Sequence, residues 1–317
     1  MMKPLIIYVK QSYSLLRGGF NLQQTTPFVS CESLATIIDL NNNELQQQNY
    51  EQPLKPSLLC ACPISIEILM LLSLKQLPFD VKLCNANKML PEELCYRMIH
   101  QLPVLIDPNN GHQILEYRMD IVDYIERKYP TKTFEFNFSF DNHCNDNQHQ
   151  LNWKLITVIH MVNRRFYHYI QQQTRSPSRF MLNDLAAIRQ QLINGLGELN
   201  RVLTLFGTRY AMTDEQPTMI DCHMMPRLHQ IRVILKQMDG IEIPNGLRCL
   251  WQYLNETYEW NIFRRWCPSD QEIQIHWLLK MNNSSQRQFR MKLMQLIRSS
   301  PTYSFDCPVY ENQVTKL

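Results

Sequence analysis

The sequence predicts two domains of different class, an α/β domain with a mixed sheet followed by an all-helical domain. Two observations predict this division. Up to about residue 130, short β-branched runs alternate with apolar helical runs, whereas beyond residue 147 the apolar residues recur only at helical spacing. The chain has 317 residues, of which 44% are hydrophobic and 19% charged, a globular composition with room for two cores.

The first predicted domain, residues 1–130, has the element order of a thioredoxin-like fold. Pro63 stands at the first position of its first helix, where a missing amide hydrogen costs nothing. Asn109-Asn-Gly111 predicts a hairpin turn between the last two strands. The predicted elements are strand 5–9, helix 62–75, strand 79–83, helix 91–99, strands 104–106 and 113–115, and helix 119–128.

A polar segment at residues 11–57 interrupts this domain directly after its first strand. It contains runs of asparagine and glutamine and shows no sustained strand or helix period. Segments of this composition bury too little apolar surface to fold on their own. The sequence therefore predicts a disordered surface insertion.

The second half divides into a linker at 131–147, an all-helical domain at 148–282 and a basic tail at 283–317. Within the tail, residues 286–298 predict a short basic amphipathic helix, with Phe289, Leu293, Leu296 and Ile297 on its apolar side. Such a helix either lies on anionic lipid or packs on the protein.

Two helix starts in this half are marked by a hydroxyl residue followed three positions later by a carboxylate. They are Thr218 with Asp221, and Ser269 with Glu272. In this arrangement the two side chains satisfy amide groups that the first helical turn leaves unpaired. These four residues are therefore predicted to be structural helix caps.

Several classes of site are excluded by composition and spacing. A net charge of +3 is too small to predict a nucleic-acid partner. The ten cysteines are irregularly spaced, which predicts free thiols in a reducing compartment. His143, Cys144, Asp146 and His149 fit no standard ligand spacing, so no metal is predicted. Neither a signal peptide nor an uninterrupted apolar span is present, which favours a cytoplasmic location.

A resemblance to a known family is carried mainly by residues 218–233. This stretch contains Asp221-Cys222, Pro226-Arg-Leu-His229 and Ile231-Arg-Val233, and it is similar to a helix of the chloride intracellular channel family, most of all to its invertebrate branch. The resemblance continues through residues 240–244, 251–254 and 267–270. In the first domain it rests on Cys62-Pro-Ile-Ser65 and Gln101-Leu-Pro-Val104.

The resemblance implies a glutathione-transferase-like fold, with a thioredoxin-like domain before the all-helical one. It also implies a soluble cytoplasmic form with a second, membrane-associated pool, membrane lipids and chloride as partners, and a link to chloride transport. The family's proposed membrane segment corresponds to about residues 60–83 of this chain. The charges of Glu67, Lys75, Asp80 and Lys82 interrupt that segment.

A second implied activity is a glutaredoxin-like thiol reaction at Cys62. Amide groups at a helix start favour a thiolate, and Ser65 in place of a second cysteine makes this a monothiol site that needs glutathione as an outside thiol. The resemblance implies a cis bond at Pro103 and a backbone contact from Leu102 to glutathione. Tyr117 and Arg118 occupy the places where glutathione transferases have an acidic residue and then Ser or Thr, which predicts weak or absent glutathione binding.

Three hypotheses follow for function. The first is a chloride intracellular channel-like protein, the second a glutathione-dependent oxidoreductase that uses Cys62, and the third a catalytically silent scaffold whose helical domain binds partners. An ordinary structural cysteine remains an alternative interpretation of Cys62. We expect anion flux in liposomes to separate the first hypothesis from the third, and disulfide turnover to test the second.

Overall fold

The computed structural model describes residues 3–12, 28–29, 61–84, 90–99, 101–130, 147–172, 179–280 and 287–308. Of the predicted insertion at 11–57, only residues 11, 12, 28 and 29 are among them. The predicted linker lies outside the described residues up to position 146.

A five-stranded mixed sheet forms the centre of the first half of the chain. Its order is β2-β3-β1-β4-β5, and β1 pairs parallel with β3 and antiparallel with β4. This arrangement, with the helical second half, confirms the predicted fold class. The strands are β1 (Leu5–Lys10), β2 (Phe28–Val29), β3 (Phe79–Cys84), β4 (Val104–Asp107) and β5 (Gln113–Leu115).

The edge strand β2 was not predicted. Phe28 pairs with Lys82 and Val29 with Val81, so two residues from the polar segment extend the sheet beyond β3. A two-residue strand is too short to show the alternation by which strands are recognised in a sequence. Only the pairing with β3 defines it.

Three helices accompany the sheet in the described part of residues 3–130, namely α1 (Pro63–Leu74), α2 (Glu92–Cys95) and α3 (Arg118–Lys128). Helix α1 is buried on almost every side, as its continuous apolar sequence requires. Helix α2 is four residues long, much shorter than the predicted 91–99. The helical path cannot continue through Met98, whose φ of 56° lies in the left-handed region.

Asp107, the last residue of β4, is a fully buried carboxylate. It accepts hydrogen bonds from the hydroxyls of Tyr124 (2.6 Å) and Tyr129 (3.0 Å) and from the backbone amide of Asn109 (2.7 Å). Burial alone would raise its pKa, but these bonds and the nearby Lys128 ammonium lower the pKa to about 2. The carboxylate therefore joins the hairpin turn to the end of α3.

Among the residues that the structure describes, seven helices follow in the second half of the chain. They are α4 (Asn147–Gln172), α5 (Arg179–Phe206), α6 (Met219–Asp239), α7 (Arg248–Tyr258), α8 (Asn261–Trp266), α9 (Asp270–Lys280) and α10 (Arg287–Arg298). Within the part of the chain that the structure describes, no helix has both the length and the hydropathy needed to cross a bilayer.

The residues group into two compact units whose bounds differ from the predicted domains. One unit contains Met1–Asn137, Arg265–Lys280 and Ser284–Thr302, and the other contains Phe138–Arg264, Met281–Asn283 and Tyr303–Leu317. Helix α9 thus falls in the unit of the sheet. The indole nitrogen of Trp266, the last residue of the preceding helix α8, donates to Ser73 Oγ at 2.9 Å, and Ser12 Oγ donates to Glu272 Oε1 at 2.6 Å.

The two predicted helix caps lie at the starts of α6 and α9. Thr218 precedes α6, and its backbone amide and hydroxyl donate to Asp221 Oδ2 at 2.7 and 2.8 Å. Burial raises the pKa of Asp221, while these bonds act in the opposite direction. At α9 the Ser269 hydroxyl accepts from the Glu272 amide at 3.3 Å, whereas the Glu272 carboxylate accepts from Ser12.

Arg232 on α6 organises the core of the second unit, with a side chain that is only 1% exposed. Its guanidinium makes two hydrogen bonds of 3.0 Å to the Glu242 carboxylate. It also donates to the backbone carbonyls of Ser304 (2.8 Å) and Asp306 (2.6 Å), and it lies 4.9 Å from the ring centre of Trp251. One buried cation therefore fixes the segment after α10.

Candidate thiol site

Cys62 lies immediately before the first residue of α1, in extended conformation with φ −74° and ψ 114°. Its carbonyl accepts the amide of Ile66 at 3.1 Å, and Pro63 supplies the first helical position. The thiol is free and half-buried. The first amides of such a helix have no acceptor within the helix itself.

The Leu102–Pro103 peptide bond is cis and directly precedes β4. Leu102 is partly buried against a small core that includes Tyr8, Leu94 and Val104. Because Val104 pairs with Tyr8 of β1, the backbone at Leu102 lies at the end of the sheet where β1 finishes. The roles of Cys62, Leu102 and Pro103 toward a ligand remain predictions.

Glu67 and Arg118 form an ion pair that connects the first turns of α1 and α3. Nε of Arg118 lies 2.8 and 2.9 Å from the two carboxylate oxygens, and Nη2 lies 2.5 Å from Oε1. The Glu67 side chain is 1% exposed. Arg118, at the place where glutathione transferases have Ser or Thr, is therefore bonded to the protein itself. Glu67, the charged residue within α1, is paired.

A second ion pair lies two turns further along the same two helices. The Lys75 ammonium, just after α1, is 3.0 Å from Glu126 Oε2 and 3.0 Å from the carbonyl of Tyr129. The second pair lies eight residues after the first along both α1 and α3, so the two helices run side by side in the same direction. The sequence shows these charges but not their pairing, which depends on the tertiary fold.

Two polar groups near the start of α1 and α3 are buried without a hydrogen-bond partner among the described residues. They are Oγ of Ser65 and Oε2 of Glu116. Glu116 directly precedes Tyr117, the residue before α3. It is therefore an acidic residue one position before the place of the acidic residue in glutathione transferases. An unpaired buried oxygen costs free energy until a ligand or water donates to it. Glu116 was not predicted from the sequence, because the acidic position was assigned to Tyr117.

Of the other described cysteines, Cys249 and Cys307 are half-buried like Cys62, and the rest differ from it in exposure. Cys84 and Cys222 are buried, and burial followed by the Asp270 charge raises the pKa of Cys267. Burial also raises the pKa of Cys307, to about 11. Cys95 is exposed, and its sulfur donates to the carbonyl of Leu90. By accessibility, Cys95 is the competitor of Cys62 for reagents.

No group of His, Cys, Asp and Glu suited to a metal ion occurs among the residues that the structure describes. His143, Cys144 and Asp146, at which the sequence predicts no metal site, lie outside the described residues.

The proteins to which this chain is similar include chloride intracellular channels of invertebrates. The chain is 28% identical over 229 residues to the chloride intracellular channel exl-1 of Caenorhabditis elegans, a match that covers 72% of this chain and 82% of that protein. No protein-family profile matches the chain. The resemblance to invertebrate chloride intracellular channel proteins is therefore confirmed.

Solved structures of the same fold match as well. The chloride intracellular channel homologue EXC-4 from Caenorhabditis elegans matches with a TM-score of 0.65 and 19% identity, over 97% of this chain and 90% of that one. A glutathione S-transferase from the Antarctic clam Laternula elliptica matches with a TM-score of 0.50 and 18% identity, over 75% of this chain and 96% of that one. Both likenesses support a glutathione-transferase-like fold.

Proposed function

We propose that this chain is a chloride intracellular channel-like protein, with a soluble cytoplasmic form that also associates with membranes and takes part in chloride transport. The observation that carries the proposal is the similarity over most of the chain to a relative named a chloride intracellular channel. Chloride and membrane lipids are the partners that it implies.

In this proposal the membrane segment is about residues 60–83, and α1 is its apolar part. Entry into a bilayer breaks both ion pairs to α3, because Glu67 leaves Arg118 and Lys75 leaves Glu126. An unpaired charge costs about 2.5–3.5 kcal/mol at a bilayer centre. The two ion pairs therefore oppose the transfer of α1 into the bilayer. Neutralising Glu67 removes the largest single contribution to the free-energy cost of that transfer.

We expect vesicle association to increase from about pH 7.5 to about pH 5, because the protonated fraction of carboxylates rises as the pH approaches their usual pKa of about 4. Glu67→Gln is expected to associate at neutral pH on the order of 100-fold more strongly than the wild type, because it removes a charge that costs about 2.5–3.5 kcal/mol from the segment. Vesicle flotation measures both effects.

Glu126→Gln is the matched control. It weakens the other ion pair between α1 and α3 but leaves the composition of the membrane segment unchanged. An increase in Glu67→Gln alone supports insertion of the segment. Equal increases in both variants would mean that loosening of the fold, and not the charge of the segment, determines association.

The second candidate function is a glutathione-dependent monothiol reaction at Cys62. Its support is Glu116 Oε2, a carboxylate oxygen without a partner among the described residues. This oxygen could accept a hydrogen bond from the ammonium group of glutathione, as the acidic residue of glutathione transferases does. In such a reaction the Cys62 thiolate attacks a disulfide, one thiol leaves, and the other half stays bonded to Cys62 as a mixed disulfide. A glutathione thiolate then attacks the bound group, which leaves as its mixed disulfide with glutathione while Cys62 returns to a thiolate. A second glutathione converts that product to glutathione disulfide and the free thiol.

Turnover of a small disulfide with glutathione tests this candidate. We expect Cys62→Ala to lower the rate at least 100-fold, because the nucleophile is lost, and Glu116→Gln to raise KM for glutathione. Cys95→Ala, an exposed cysteine elsewhere in the same unit, is the control and is expected to retain the wild-type rate. Equal rates for all four proteins would assign Cys62 a structural role.

A further inference from the structure

Helix α10 concentrates positive charge in a part of the chain that carries no negative charge. Residues 281–305 contain four basic residues and no acidic one. The whole chain has a net charge of only +3, so this excess is local. The basic residues are Arg287, Arg290, Lys292 and Arg298.

The outward stripe of α10 differs from the apolar side that the sequence predicted. Leu293, Leu296 and Ile297 are half-buried, which shows that the predicted apolar side packs on the protein. In contrast, Met291 and Met294 are 63% and 55% exposed.

Positions 287, 291, 294 and 298 fall on one stripe of an α-helix, at spacings of four, three and four residues. The stripe therefore places two exposed methionines between two arginine positions. A helix of this length extends over about 18 Å, a span that matches several lipid headgroups.

We infer that this stripe, on which Met291, Met294 and Arg298 are exposed, is a docking surface for an anionic membrane. Arginine binds phosphate groups through paired hydrogen bonds, and flexible methionine side chains can enter the boundary between headgroups and acyl chains. The exposed methionines favour lipid over a nucleic acid, whose backbone offers them no apolar contact. The inference extends the proposed function, because it gives the folded form a contact with the membrane before α1 leaves its partners.

The residues after α10 are bonded to the rest of the protein, which determines the design of the test. The Asp270 amide donates to the carbonyl of Thr302 at 2.8 Å, and the Gln271 side chain donates to the carbonyl of Ser300 at 2.8 Å. Deleting residues 283–317 would remove these bonds along with the docking surface. Point substitutions on the exposed stripe are therefore required.

The test uses flotation of the full chain at neutral pH with phosphatidylserine–phosphatidylcholine vesicles and with pure phosphatidylcholine vesicles. Each basic residue near an anionic surface contributes about fivefold to binding, so Arg287→Gln with Arg298→Gln is expected to lower partitioning about 25-fold. Met291→Gln with Met294→Gln is expected to lower it about tenfold.

Two double variants serve as matched controls for charge and for exposed apolar surface. Lys154→Gln with Arg164→Gln removes the same charge from α4, and Met98→Gln with Leu205→Gln removes exposed apolar side chains elsewhere. Both are expected to partition like the wild type. Thermal unfolding by circular dichroism verifies that each variant folds.

Selective loss in the two stripe variants, only on phosphatidylserine vesicles, supports the inference. Partitioning like that of the wild type in both stripe variants would overturn it. So would a loss in the arginine variant alone, if the methionine variant partitions like the wild type and the wild-type protein binds duplex DNA as strongly as the phosphatidylserine vesicles. If stripe-dependent docking at neutral pH occurs without any chloride flux at acid pH, the docking surface stands and the proposed function fails. The reverse result leaves the proposed function standing without this surface.

Discussion

Lowering the pH from about 7 to about 5 is expected to lower the free energy of unfolding by about 4 kcal/mol. Two buried histidines cause this loss. Burial, and then the charge of Arg232, lowers the pKa of His229 to about 3. Burial, followed by the charges of Lys280 and Lys10, lowers the pKa of His276 to about 3. The unfolded chain binds a proton at each histidine below about pH 6.5 while the folded chain does not, so stability falls as the pH falls through that range.

Urea unfolding at both pH values measures this dependence. His229→Gln and His276→Gln are each expected to remove about half of it, since each histidine contributes about 2 kcal/mol at pH 5. His112→Gln, at an exposed position, is the control and is expected to leave it unchanged. Asp221, whose pKa is raised by burial, acts in the opposite direction, so the variants isolate the histidines better than the wild type alone. Equal pH dependence in all four proteins would contradict the assignment.

Replacing Arg232 by methionine is expected to lower the free energy of unfolding by about 3–5 kcal/mol. The variant leaves the Glu242 carboxylate without its two 3.0 Å bonds and the carbonyls of Ser304 and Asp306 without a donor. Loss of these carbonyl contacts is also expected to release residues 303–308, which hydrogen exchange detects as faster exchange there.

Arg209→Met is the matched control for this change. Arg209 also pairs with a glutamate, Glu256, but its side chain is 54% exposed, and exposed ion pairs contribute about 0–1 kcal/mol. Similar losses for the two variants would show that the buried network around Arg232 is not a main source of stability.

The fold class was predictable because it depends on local patterns. The alternation of short strands and helices, the Pro63 helix start and the Asn109–Gly111 turn are all visible within a few residues. Helix α2 ended early because of the left-handed conformation at Met98, a feature that side-chain periodicity does not show. Strand β2 exists only through its pairing with β3.

The candidate site was predictable only in part, for the same physical reason. Cys62 and Pro103 carry a recognisable context in the sequence, and the resemblance identified them. The pairing of Glu67 with Arg118, 51 residues later, depends on how α1 and α3 pack, and no local pattern encodes it. The buried, unpaired oxygen of Glu116 likewise appears only when the chain is folded.

Chloride efflux from liposomes tests most directly the proposal that this chain takes part in chloride transport across membranes. Liposomes loaded with chloride are mixed with the purified wild-type protein at about pH 5 and about pH 7.5, and the released chloride is followed with an electrode. We expect efflux that depends on protein concentration and is faster at the lower pH, with Glu67→Gln narrowing the difference. Efflux no faster than from protein-free liposomes, at both pH values and for both proteins, would contradict the claim and favour a silent scaffold.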